Sequence, residues 1–160
     1  MLTVDYATAS LDDLLAKEWL ATNGNGGYAS STVVGLNTRK YHGLLVAPMS
    51  PPSRRMVLLS HVDESFFLAG DRYSISCNEY PGTIHPRGFE YLRAFNADPF
   101  PRWAYQGDGW TIEKSLRFLR GQNTVVLCYI LRGGSETLEM ELRPQFAMRG
   151  VHELAHQSNN

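Results

Sequence analysis

The sequence predicts an all-β fold, an antiparallel β-sandwich with one short amino-terminal helix, and three patterns point to it. Trp110, Ile112, Leu116 and Phe118 alternate with Thr111, Glu113, Ser115 and Arg117. Leu138, Met140 and Leu142 alternate in the same way with Thr137, Glu139, Glu141 and Arg143. A period of two buries one side of each segment and wets the other. Strand-like segments also recur at roughly ten-residue spacing with glycine-rich turns between them, the punctuation of a sandwich.

Taken in order, Ser10-Leu11-Asp12-Asp13 has the hydroxyl and the acidic residue of a capping box. Leu11, Leu14 and Leu15 follow at helical spacing, which predicts an amphipathic helix over residues 11–17. After Trp19 the period changes to two. Phe66-Phe67-Leu68-Ala69 and Arg72-Tyr73-Ser74-Ile75 read as a hairpin turning at Gly70-Asp71. Lys114 interrupts the apolar side of the 110–118 strand, by a bulge or by sitting at its rim. Gly121-Gln122-Asn123 turns the chain into the apolar run 125–131, which reads as a central strand covered on both sides; Gly133-Gly134-Ser135 turns it again.

Residues 79–107 are less regular. Tyr80, Phe89, Tyr91, Phe95, Phe100, Trp103 and Tyr105 are interleaved with four prolines and with Arg87, Arg93 and Arg102. Two readings fit: a platform on which pyranose C–H faces stack, or rings filling the space between two sheets, where aromatic area stabilises most.

The most informative stretch is residues 18–48. Asn23-Gly24-Asn25-Gly26-Gly27 is a turn sequence, because Asn and Gly reach positive φ at low cost. Leu44 to Ala47 reads as a buried strand. Between them lie Asn37, Thr38, Arg39, Lys40, Tyr41, His42 and Gly43, a dense set of groups suited to gripping a hydroxyl-rich ligand. Asn23, Gly26, Gly27, Tyr28, Asn37, Thr38, Arg39, Tyr41 and His42 are therefore the candidate substrate-binding or interface residues. A strand over residues 29–35 would span roughly 23 Å and hold the two segments apart. Ser30, Ser31 and Gly35 are weak strand residues that permit a bend bringing them together. The plainer role for Arg39 is an ion pair with Glu18.

Residues 18–35, reading EWLATNGNGGYASSTVVG, and 37–47, reading NTRKYHGLLVA, resemble the amino-terminal domain of bacterial- and archaeal-type glycogen debranching enzymes. The tail Arg143-Pro144-Gln145-Phe146-Ala147-Met148-Arg149, followed by Val151-His152, resembles a later family pattern and departs from it at Gly150. The resemblance implies a supersandwich-like β-domain spanning residues 1–160. It implies that catalysis belongs to a following (α/α)6 barrel, absent from this chain and a partner within the same polypeptide. The parent would be an amylo-α-1,6-glucosidase hydrolysing branch linkages in a glycogen-like α-glucan, without metal or organic cofactor.

Composition is consistent with one domain. A length of 160 residues can bury a real core. Fifteen basic residues against 16 acidic ones leave no basic field for nucleic acid. No apolar run approaches the roughly 20 residues that span a bilayer. The first residues lack the flank and core of a secretory signal, so a cytoplasmic location is expected. Cys77 and Cys128 lack metal-ligand spacing, and Cys128, inside an apolar run, reads as a small hydrophobe, with a disulfide the alternative. His152 and His156 are spaced to ligate a metal from one helix face, yet lie in a polar terminal segment.

Glycosidases place two carboxylates roughly 5–10 Å apart across the scissile bond. The acidic residues here are scattered, and Asp63 and Glu64 are the best candidates. The residues by themselves identify no catalytic pair. Three functions stay open: a non-catalytic domain that packs on a barrel and shapes its substrate groove, a free-standing carbohydrate-binding module, or a purely structural β-domain.

Overall fold

Alternating apolar residues need a second apolar surface to cover them, and this chain supplies it by stacking two antiparallel sheets. The computed structural model describes residues 6–50, 54–132 and 138–153. A helix α1 (Leu11–Leu15) leads into β1 (Glu18–Thr22), β2 (Tyr28–Thr32), β3 (Gly43–Ser50) and the long β4 (Arg54–Leu68). Then come β5 (Asp71–Ser74), β6 (Cys77–Tyr80), β7 (Thr83–Arg87) and a 3-10 turn (Gly88–Tyr91). The chain closes with β8 (Leu92–Asn96), β9 (Arg102–Gly107), β10 (Trp110–Phe118), β11 (Val125–Arg132) and β12 (Glu139–Gly150).

One sheet runs β1-β2-β3-β4-β12, with β5 added beside the far end of β4. The other is the meander β11-β10-β9-β8, and β6-β7 is a separate hairpin. Aromatic rings join the layers: Trp19 meets Trp103 edge-on at 5.4 Å, and Phe66 meets Trp110 at 4.7 Å. The Trp103 indole N–H donates to the Val33 carbonyl at 2.8 Å, so the contact is polar as well as apolar.

The predicted elements recur with corrections. The helix is shorter than expected, and Ser10 caps it by accepting the Asp13 N–H at 3.2 Å. Asp13 answers through its carboxylate to the Ser10 hydroxyl, since the shorter Asp side chain replaces the Glu of a full capping box. The 66–75 hairpin turns one residue early, at Ala69-Gly70, with Leu68 opposite Asp71. Both turn residues have positive φ, 52° and 88°, as a two-residue hairpin of right-handed twist requires. Lys114 makes no bulge: β10 pairs in unbroken register with both neighbours, and the lysine points inward.

The largest correction concerns β11. It is the edge of its sheet, and burial alternates along it. Val125, Leu127, Tyr129 and Leu131 pack on the core, while Val126, Cys128 and Ile130 are exposed. Its outward residues are apolar, so composition alone imitates a doubly covered strand. Of the aromatic-rich middle section, Trp103 and Tyr105 are buried and Phe89, Tyr91 and Phe95 pack against the core, whereas Tyr80 is 52% exposed. The 133–135 turn, Thr137 and His156 lie outside the described residues.

Candidate functional site

Asn37 and His42 hold the two ends of the segment that the sequence singles out. The Asn37 amide oxygen accepts the Ser31 hydroxyl at 2.8 Å, and its nitrogen donates to the Ser60 carbonyl and hydroxyl at 3.1 Å. His42 is buried; its Nδ1 accepts the Thr38 backbone N–H at 3.2 Å, and its own N–H donates to the Arg39 carbonyl at 3.0 Å. Because Nδ1 accepts, the ring carries its proton on Nε2, which faces Glu18 at 3.5 Å, too loosely aligned to count as a hydrogen bond. Burial lowers the His42 pKa, partly opposed by Glu18, and Arg39 lowers it further. Arg39 pairs with the same Glu18 carboxylate at 2.5 Å.

With both ends fixed, Arg39, Lys40 and Tyr41 project into solvent. Lys40 Nζ lies 5.1 Å from the centre of the Tyr41 ring. Tyr28 reaches this segment through its hydroxyl, which donates to the Tyr41 carbonyl at 2.9 Å. Burial raises the Tyr28 pKa, so the hydroxyl stays a donor.

Asn23, Gly26 and Gly27 go elsewhere. Strand β2 stops at Thr32, and the buried Val33 and Val34 turn inward. Asn23 is buried at the opposite end of the β1-β2 hairpin, where its Oδ1 accepts the N–H groups of Asn25 and Gly27. Its Nδ2 donates to the Gln122 carbonyl at 3.0 Å and to Asn123 Oδ1 at 3.2 Å. A Cβ on Gly27 would stand 2.7 Å from that amide, so only glycine lets Asn23 fold over it. The Gly26 carbonyl accepts from Arg55 Nε at 2.8 Å. Thus Tyr28 joins Asn37, Thr38, Arg39, Tyr41 and His42, while Asn23, Gly26 and Gly27 belong to a turn that docks on the other sheet.

The best acidic candidates are both committed to other groups. Glu64 is 2% exposed between the sheets, 2.6 Å from Lys114 Nζ, and accepts the Tyr129 hydroxyl. Burial and that carboxylate drive the Tyr129 pKa far up. Asp63 accepts the side-chain amides of Asn78 at 2.7 Å and Gln145 at 3.0 Å. Among the described residues no group of three His, Cys, Asp or Glu side chains could hold a metal ion. No described helix is long and apolar enough to cross a membrane.

The tail motif completes the geometry. Strand β12 carries register shifts after Gln145 and after Phe146, with Met148 at a φ of 47°. A bulge of this kind re-aims side chains, and Arg149 donates to the Lys40 carbonyl at 2.7 Å. His152 stands edge-on to Tyr41 at 5.7 Å, with Nδ1 3.4 Å from its hydroxyl. Two sequence blocks about 110 residues apart therefore meet on one surface. Residues 17–160 match the family described as glycogen debranching enzyme N terminal. The chain belongs to this family. No curated protein and no solved structure matches it. In this debranching-enzyme amino-terminal domain, Arg149 and His152 are the members of the surface that local sequence reading did not assign to it. Only the tail resemblance signalled them.

Proposed function

We propose that this chain is a non-catalytic domain that packs on a catalytic (α/α)6 barrel of the same polypeptide and helps shape its substrate groove. The parent enzyme would hydrolyse α-1,6 branch linkages of a glycogen-like glucan, in the cytoplasm. The observation that carries this reading is the rigid presentation of Arg39, Lys40 and Tyr41. Tyr28 and Arg149 donate to the Tyr41 and Lys40 carbonyls, His42 accepts the Thr38 N–H and Asn37 anchors the start of the segment on Ser60, yet the three side chains stay exposed. A loop held this firmly by a scaffold is the usual way a fold presents binding groups. The engagement of Asp63 and Glu64 elsewhere supports a non-catalytic role, since neither is free to flank a glycosidic bond. The apolar row of Val126, Cys128 and Ile130 supports a large partner surface.

The test is made in the full-length debranching enzyme. Tyr41→Ala should lower kcat/KM on branched glucan about tenfold, with the melting temperature unchanged, because the lost group touches ligand rather than core. Lost stability with intact kinetics would reduce the segment to a fold-holding role.

A further inference from the structure

We infer that the domain carries a second carbohydrate contact, separate from the Arg39–Tyr41 segment, in two grooves that meet at Asp63, Asn78 and Tyr80. One groove, of about 500 Å³, lies between the β6-β7 hairpin and strands β4, β5 and β12. The other, of about 490 Å³, continues from the same three residues toward Asn37 and Ser60. Each falls within the roughly 300–1,000 Å³ typical of small-molecule sites. Because Asp63, Asn78 and Tyr80 line both, the two grooves adjoin at these residues and together offer room for an elongated ligand.

The lining chooses the chemistry. Three carboxylates, Asp63, Glu90 and Glu141, face the first groove beside three guanidinium groups, Arg72, Arg87 and Arg143. The second groove adds Glu79 and no basic side chain but His61, so the two together hold four carboxylates against three guanidinium groups, which disfavours phosphate and polyanions and leaves a neutral ligand rich in hydroxyls as the better fit. The polar groups are also fixed in advance. Asp63 is gripped by Asn78 and Gln145, and Glu141 by Arg72 at 3.2 Å and Arg143 at 2.8 Å. Each amide retains donor or acceptor capacity beyond the bond it makes to Asp63. Fixed planar groups lose little entropy on binding. Where the grooves adjoin, Tyr80 ends β6 in the separate hairpin and is 52% exposed. An aromatic face beside oriented amides and carboxylates is what a pyranose needs, with C–H groups on the ring and hydroxyls on the polar wall. The ligand class is a neutral oligosaccharide; taking it as an α-glucan rests on the proposed function.

The experiment titrates the full 160-residue chain with maltoheptaose, following the Tyr80 ring signals by NMR and the heat of binding by calorimetry. Saturable binding is expected. Tyr80→Ala should weaken it at least tenfold and Tyr80→Trp should keep it, since the ring matters and the hydroxyl does not. Asn78→Ala should weaken it severalfold. Leu20→Ser, an exposed change on β1 outside both grooves, should leave it unchanged. All these positions are exposed or at the surface, and matching melting temperatures separate lost binding from lost fold. Absence of saturable binding, or binding indifferent to Tyr80→Ala, overturns the inference. That failure would leave the Tyr41 kinetic test intact, because one reads binding by this chain and the other kcat/KM of the parent enzyme. Unchanged kinetics for Tyr41→Ala with Tyr80-dependent binding here would remove the groove role and keep this site.

Discussion

Lys114 shows how one residue can look like an error in a pattern and be part of the core. Its ammonium sits in the sandwich, 2.6 Å from Glu64 and 5.2 Å from the centre of the Trp103 ring. Two charges taken out of water must be compensated locally, and here the Tyr129 hydroxyl and the indole face share that task. Removing one partner strands the other. Glu64→Ala should therefore cost about 3–5 kcal/mol, whereas Glu64→Leu combined with Lys114→Met should be near neutral or stabilising. Urea denaturation of both variants checks this, and a single variant within about 1 kcal/mol of wild type would contradict it. The cysteines differ as sharply. Cys77 is buried and its thiol is pushed up to about 11, mainly by burial, whereas Cys128 is exposed on β11. Native protein should give one thiol to a maleimide or disulfide reagent, and Cys128→Ser should abolish that reaction.

At the scale of elements, the Asn23 turn joins the two sheets. Its side chain makes four hydrogen bonds, two within its own turn and two to the Gln122-Asn123 turn between β10 and β11. The Asn23 carbonyl also accepts the Gly121 N–H at 2.7 Å. Asn23→Ala should cost about 2–3 kcal/mol, because it leaves buried donors and acceptors unpaired at once. Thermal melts of Asn23→Ala and Asn123→Ala measure it, the latter smaller because it breaks only one of the four bonds. The turn itself was legible, since Asn and Gly report local backbone freedom. Its docking partner was not, because nothing local at residue 23 encodes residues a hundred positions away. The same limit explains β11. An unbroken apolar run gives burial demand but not sheet position, and Val126 and Ile130 turned out to be exposed at an edge. Alternating polar neighbours made β10 easier to place. Of the candidate site, Arg39 with Glu18 and the clustering about residues 37–42 could be read from residue type. The reach of Arg149 could not, because a bulge in β12 sets it.

For the molecule as a whole, the balance of 15 basic and 16 acidic residues leaves stability near neutral pH to a few specific groups rather than to net repulsion. Among the described residues, His42 and His61 are two such groups. Burial lowers the pKa of each below the usual histidine value; Glu18 opposes the shift at His42, and Asp63 and Glu64 oppose it at His61. Thr38 gives His42 Nδ1 a donor, which a protonated ring cannot accept. The sign follows from proton counts. Between the lowered folded value and the unfolded value near 6.5, the unfolded chain binds more protons than the native one, so stability rises with pH in that window. It is fully present above about pH 6.5 and is lost as pH falls below it, with a slope of at most about 1.4 kcal/mol per unit for each histidine. Asp13, held low chiefly by the Ser10 hydroxyl, titrates below this window and does not obscure it. Urea midpoints measured from pH 7.5 to 5.0 should therefore decline, and His42→Gln with His61→Gln should flatten the decline even if it lowers stability throughout. A midpoint that stays level or rises on acidification would show that both imidazoles protonate freely in the native fold, and with that the buried, neutral His42 that anchors the Arg39–Tyr41 segment would be lost.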